Sequence, residues 1–371
     1  MRAVGIILAG GNSSGRLDQL TVSRAASAMP VGGCYRVIDF PLSNMANSGV
    51  MKVAVITQYN SRSLHDHLSS SKWWDLGRKQ GGLFIFTPFL TTDNSFWFRG
   101  TADSIFQNIS FLRRSNEPYV IITSGDSVYK IDYNEVIEDH IKTKADITIV
   151  SREMPGQDVR QYGVMEVDSS NRVVEFEEKP LEPGSQTISL GIYVISRITL
   201  IKLLETVVVQ EGRFDLVRDI ITRYRKKLYI SSYNFSGYWK ALNSIQSYYE
   251  LNMDFLQREV RDMFTKNQPY IATKPKDEPP AKYNHGAAVK NSLVGSGSIL
   301  NGAVENSILF RRVYTGEYSS VKNSIIMESS FIGNGCVVEN AILDKEVILS
   351  DGKRITGEAG EPVIIAKNTV M

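Results

Sequence analysis

Val289-Lys-Asn-Ser-Leu-Val294, Val304-Glu-Asn-Ser-Ile-Leu309, Val321-Lys-Asn-Ser-Ile-Ile326 and Val338-Glu-Asn-Ala-Ile-Leu343 are four copies of one hexapeptide. Their starts are separated by close to the ~18 residues that three hexapeptides occupy. Ile325, Phe331, Val337, Leu343 and Leu349 fall at a six-residue period. The pattern predicts a solenoid of short parallel strands, with one inward apolar residue per hexapeptide and small or polar residues at the corners. An antiparallel sandwich of short strands has no need of a fixed period and fits less well.

Upstream the pattern changes. Apolar, β-branched runs at 4–8, 53–57, 119–123, 147–151 and 191–195 predict buried strands, alternating with helical stretches such as 104–113 and 133–142. That alternation predicts a mainly parallel mixed sheet covered on both faces, an α/β domain over 1–243. Ile245, Tyr248, Leu251, Met253, Phe255 and Leu256 predict a helix over 244–263, followed by a linker at 267–280 carrying Pro269, Pro275, Pro279 and Pro280. Helix and linker together occupy 244–283, and the solenoid takes 284–371. A chain of 371 residues exceeds the size at which one core keeps growing, so two domains are expected on length alone.

The net charge of +2, with no long Lys/Arg run, argues against nucleic-acid or membrane binding through a broad basic face, so any anion site is local. Cys34 and Cys336 lie far apart, lack metal-type spacing and read as small buried apolar residues of a reducing compartment. The apolar start is too short for a signal-peptide core, and no stretch reaches the ~18 apolar residues of a membrane span. A cytoplasmic protein is expected.

The chemistry-bearing residues lie in the first domain. Strand 4–8 enters Ala9-Gly10-Gly11-Asn12-Ser13-Ser14-Gly15-Arg16-Leu17, whose backbone N–H groups suit phosphate oxygens and whose Arg16 adds charge. Tightness of the turn alone also accounts for such glycines. Ser124-Gly125-Asp126, directly after strand 119–123, puts a carboxylate where ligands bind in parallel sheets, suited to a divalent ion bridging nucleotide phosphates. A turn or helix-cap role explains Asp126 equally simply.

Tyr35-Arg-Val-Ile-Asp-Phe-Pro-Leu-Ser-Asn44, Trp74-Asp-Leu76 with Gly81-Gly82, Gly100-Thr-Ala-Asp-Ser-Ile-Phe-Gln-Asn108, Ser124-Gly-Asp-Ser-Val-Tyr-Lys130, Phe176-Glu-Glu-Lys-Pro180 and Gly237-Tyr-Trp239 run in order along the chain. With them the sequence closely resembles the ADP-glucose pyrophosphorylase (glucose-1-phosphate adenylyltransferase) family. The resemblance implies a Rossmann-like nucleotidyltransferase domain followed by a left-handed β-helix. It also implies a reaction in which ATP and glucose 1-phosphate give ADP-glucose and pyrophosphate with Mg²⁺, in glycogen or starch synthesis. It places the nucleotide near Leu8, Gly10, Gly11, Gln58, Gly100, Thr101 and Ala102, and the sugar phosphate near Tyr162, Gly163, Glu178, Lys179 and Ser189. Lys179 suits the sugar phosphate as a point charge. The small side chains from Gly100 to Ala102 would let a flat base lie against backbone.

Departures from the family pattern fall where catalysis would occur. Gly10-Gly11-Asn12-Ser13-Ser14-Gly15-Arg16-Leu17 is one residue longer than the family's loop, with its last glycine displaced. Ala25-Ala26-Ser27-Ala28 stands where the family has Ala-Lys-Pro-Ala, and Tyr238-Trp239-Lys240-Ala241 where it has Tyr-Trp, one residue and Asp. An expected lysine is therefore Ala26, and the metal partner expected for Asp126 is Ala241. A Mg²⁺ site with one carboxylate lost binds poorly, and one lost electrostatic contact costs about 10²- to 10³-fold in rate. The resemblance is therefore to the GlgD-type, non-catalytic subunit. It implies a catalytic homologous partner in a mixed tetramer, and a solenoid that serves as assembly surface and wall of an effector site. Arg24 is compatible with a small phosphorylated effector or with solvation. A hexapeptide acyltransferase is disfavoured, because His285, the one histidine near the solenoid, precedes the repeats.

Overall fold

The computed structural model describes residues 2–11, 15–77, 81–89 and 97–371. The first domain is built on a twisted mixed sheet in the order Gly82–Phe86, Lys52–Ile56, Ala3–Leu8, Tyr119–Ser124, Thr187–Ser196, Ile147–Glu153, Ile230–Asn234. All run parallel except Thr187–Ser196, which is antiparallel to both neighbours. The central members are apolar on both faces because helices and loops cover both, so continuous runs such as Val120, Ile121 and Ile122 are fully buried. A hairpin of Gly163–Val167 and Val173–Glu178 joins the long strand at Ile188, beyond a register shift between Ser189 and Tyr193. Such an irregularity bends a strand and re-aims its side chains.

Several sequence expectations shift. The helix expected over 104–113 is two, Thr101–Gln107 and Ile109–Arg113, divided at Asn108, whose amide donates to the carbonyl of Ser104. The helix expected over 244–263 is also two, Ile245–Asp254 and Arg258–Thr265, separated where Gln257 turns extended. Ser244 caps the first of them by accepting from the N–H of Ser247.

From Lys282–Tyr283 onward, three parallel five-stranded sheets stack coil on coil into a parallel β-helix. Val304, Val321 and Val338 point inward in register. The asparagine of each hexapeptide (Asn291, Asn306, Asn323, Asn340) takes a left-handed backbone at the corner, which Asn tolerates better than most residues. The following serines form a ladder, Ser292 Oγ accepting from the Ser307 N–H and Ser307 Oγ from the Ser324 N–H, each at 3.1 Å. The six-residue period was misregistered in one respect. Phe331 is 41% exposed and Val337 half-buried, while Ile332 and Val338 fill the core. Each two-residue apolar step has one side chain in and one out, which periodicity does not distinguish.

Ile299, Tyr314, Phe331 and Ile348 thus form an outward ladder on one solenoid face, with the Tyr314 and Phe331 rings stacked at 4.6 Å. Another face docks on the first domain. There Ile308, Ile325 and Ile342 share a buried core with Leu17, Ala26, Phe40, Tyr248, Leu251 and Phe255. Arg24, expected at a solvated or effector-facing position, instead crosses this interface. It is 4% exposed and pairs with Asp344, 1% exposed, at 2.6 Å. Among the described residues no helix is long and apolar enough to cross a membrane.

Candidate active-site cleft

The carboxyl ends of Ala3–Leu8 and Tyr119–Ser124 are adjacent parallel strands, and the Gly125 N–H donates to the Leu8 carbonyl at 2.9 Å. Three contiguous cavities open above them. The first, about 240 Å³, is lined by Leu8, Gly10, Gly11, Gln58, Gly100 and Thr101, with Tyr59 and Arg99 at its side. A second, about 210 Å³, runs on through Arg16, Ala26, Ser27, Ser124 and Asp126. The third, about 160 Å³, holds Tyr162, Gly163, Glu178 and Ser189 together with Asp126, Trp239 and Ala241. Most of the residues expected around a nucleotide and around a sugar phosphate thus lie at opposite ends of one cleft, joined by the middle cavity that Arg16 and Asp126 line.

Two expected residues lie outside it. Ala102 is fully buried, and its N–H donates to the Phe214 carbonyl at 2.7 Å. That carbonyl also accepts from Asp103, while Thr101 Oγ1 accepts from the Leu216 N–H. A Cβ at Gly100 would collide with the same Phe214 carbonyl. The small residues from Gly100 to Ala102 therefore make room for the chain's own segment 214–217, while Gly100 and Thr101 also line the first cavity. Lys179 follows Val173–Glu178 with φ of 53°, is exposed, and does not line the third cavity. The one-residue lengthening of the glycine loop falls at 12–14, outside the described residues.

Asp126 sits between Tyr119–Ser124 and the short strand Ser127–Tyr129. Its Oδ2 accepts from Arg16 Nη1 at 3.2 Å, and Ser124 Oγ donates to Oδ1. Trp239–Ala241 pairs antiparallel with Ser127–Tyr129, and the Leu242 N–H donates to the Asp126 carbonyl at 3.0 Å. Ala241 consequently lines the same cavity as Asp126, while Ala26 lines the middle cavity with Arg16. Burial pushes the Tyr162 phenol and the Glu178 carboxyl up, the latter opposed by Lys179.

Sequence reasoning missed three contributors. Among the described residues Trp239 Nε1, buried in the wall of the third cavity, has no partner, a donor suited to a hydroxyl-rich ligand. The Gly237-Tyr-Trp239 word carried that signal. Gly191, with φ of 70°, and Val217 each line both the middle and third cavities. The bulge and the segment 214–217 that place them had no local signature.

Between the domains lies a fourth cavity, about 260 Å³, lined by Arg36, Lys274, Lys276, Arg311 and Lys345 around Glu328. Arg311 and Lys345 donate to the Glu328 carboxylate at 2.7 and 2.9 Å. Burial alone would raise that carboxyl, but Lys345, Arg311 and Arg312 outweigh it and hold it at about 2. Cys34, expected buried, opens onto this cavity, whereas Cys336 is buried in the solenoid.

Comparison with known proteins accords with this geometry. Residues 4–258 match the nucleotidyl transferase family, and residues 279–361 match the GlmU-like C-terminal hexapeptide family. The glucose-1-phosphate adenylyltransferase of Thermosipho africanus (strain TCF52B) is 40% identical over 321 residues, covering 86% of this chain and 77% of that protein. Those of Clostridium perfringens (strain 13 / Type A) and Geobacillus stearothermophilus are 40% and 37% identical, each over 86% of this chain and over 81% and 83% of their own lengths. With a cleft of this organisation and a sequence shared along most of its length, the chain belongs to the glucose-1-phosphate adenylyltransferase family.

Proposed function

We propose that this chain is a modulating subunit of an ADP-glucose pyrophosphorylase in glycogen synthesis, of the GlgD type. It retains a cleft for ATP and glucose 1-phosphate but turns them over weakly or not at all by itself. One observation carries the reading: the cavities that Asp126 and Arg16 line are also lined by Ala241 and Ala26, where the resemblance expects a second carboxylate and a second cation. In-line attack of a sugar-phosphate oxygen on the α-phosphorus depends on positioning and on charge neutralisation. Both are depleted here.

The partner in this reading is a catalytic homologue, in a tetramer of two chain types. The outward ladder of Ile299, Tyr314, Phe331 and Ile348 supports an assembly role, because strands of any homologous solenoid repeat at the same ~4.8 Å spacing and present a matching ladder. The cationic interdomain cavity is the proposed seat of a small phosphorylated effector.

The test is pyrophosphate release from ATP and glucose 1-phosphate with Mg²⁺, measured for this chain alone, a catalytic homologue alone, and the mixture. Silence alone, with a raised rate or changed effector response in the mixture, is the expected result. Robust turnover by the isolated chain would overturn it in favour of a self-sufficient adenylyltransferase.

A further inference from the structure

We infer that the cleft takes a nucleoside triphosphate without a divalent ion, the Arg16 guanidinium standing where the family reaction places the metal. This rests on the nucleotide-binding reading above and deepens it.

The donor set does not fit a metal. Mg²⁺ demands near-octahedral oxygen coordination, built on one or two carboxylates plus phosphates and water. Among the described residues, Asp126 and Glu178 are the only acidic ones lining the three cavities, and Glu178 lines only the sugar-side one. Both oxygens of Asp126 are already engaged, Oδ2 by Arg16 and Oδ1 by Ser124. Ala241 offers a methyl group where a second ligand would stand. Among the described residues no group of three or more His, Cys, Asp or Glu side chains is placed to hold an ion.

The same residues do fit an anion. Arg16 lines the middle and third cavities, and its side chain makes one hydrogen bond among the described residues, that to Asp126. A guanidinium has five N–H donors in a fixed fork, and among the described residues Asp126 takes one of them, leaving the fork to meet phosphate oxygens. Two neighbouring sources of positive potential are spent. The Ala102 and Asp103 N–H groups are closed by the Phe214 carbonyl, and Arg99 is held by Asp103 at 2.9 Å. Among the described residues lining the three cavities, Arg16 is therefore the cation left to meet the polyphosphate. Asp126 acts as its positioning residue, fixing the guanidinium at the meeting point of the cavities.

The experiment titrates ATP into the full purified chain by calorimetry, in EDTA and then in excess MgCl₂, and separately follows Mn²⁺ binding by its electron paramagnetic resonance. The expected affinity in EDTA equals or exceeds that with Mg²⁺, since the metal competes with Arg16 for the phosphates, and no Mn²⁺ signal is lost on adding the chain. Arg16→Ala should weaken metal-free binding about 10-fold or more, the value of a charge-assisted hydrogen bond. Asp126→Asn, which removes a negative charge but leaves Arg16 an acceptor, should tighten it about threefold. A 10-fold gain in affinity on adding Mg²⁺, abolished by Asp126→Asn, would overturn the inference while keeping the cleft as a nucleotide site. Absence of ATP binding in both buffers, from a chain folded by circular dichroism, would overturn the nucleotide reading itself.

Discussion

Asn323 holds φ at 46° at a solenoid corner, a conformation that costs most L-residues about 1–2 kcal/mol. Asn323→Ala should therefore lower the thermal midpoint, and Asn323→Gly should largely preserve it, as read by differential scanning calorimetry. Arg24 offers a stronger test. Arg24→Met leaves Asp344 buried without its cation, a change worth about 3–5 kcal/mol, whereas the double variant Arg24→Met/Asp344→Leu should recover most of that loss. In the cleft, Ala241→Asp restores one carboxylate, but Ala26 remains. We expect pyrophosphate release by that variant alone to stay ~10²-fold or more below a catalytic homologue, since each missing electrostatic contact is of that order. These residues differ in how legible they were. Ala26 and Ala241 stood out because long matching words flanked them. Arg24 did not, because its partner lies 320 residues away and only the docking of two domains brings them together.

At the scale of elements, the strands of the first sheet were legible because burial on both faces leaves continuous β-branched runs. The broken helices were not, since an interruption at Asn108 or Gln257 preserves apolar spacing while ending the hydrogen-bond ladder. The hairpin of Gly163–Val167 and Val173–Glu178 lacked a clean period-two signal because its outer strand breaks alternation, Val174 and Glu175 both being exposed. Helix Tyr133–Thr143 carries a pH-sensitive contact. Its His140 is buried against Thr148 at 2.8 Å, and burial pushes the imidazole down to about 4, partly offset by Asp146. Between the ordinary value of 6.5 and about 4 the unfolded chain binds more protons than the folded one. Stability contributed at this site is thus full above pH 6.5 and falls as the pH drops towards 4. Compared with His140→Gln, the wild type should lose stability across that window with a slope of at most about one proton, measurable by urea unfolding at stepped pH.

For the whole molecule, the solenoid is fastened to the first domain by a shared apolar core, and its opposite surfaces remain available. If the ladder around Phe331 meets a homologous solenoid, Phe331→Lys should weaken mixed assembly about 10-fold or more, while Val174→Lys, equally exposed on the first domain's hairpin, should not. Analytical ultracentrifugation of this chain with a catalytic homologue separates the two results. The shared core has a further consequence. Ala26 belongs to it and also lines the cleft, and Leu17 follows Arg16 directly. The floor of the cleft is therefore the foundation on which the second domain stands. Substitutions that erode this ground would undermine the solenoid above it. Packing of the solenoid alone would therefore hold the outline of this cleft in shape, whatever chemistry the cleft performs.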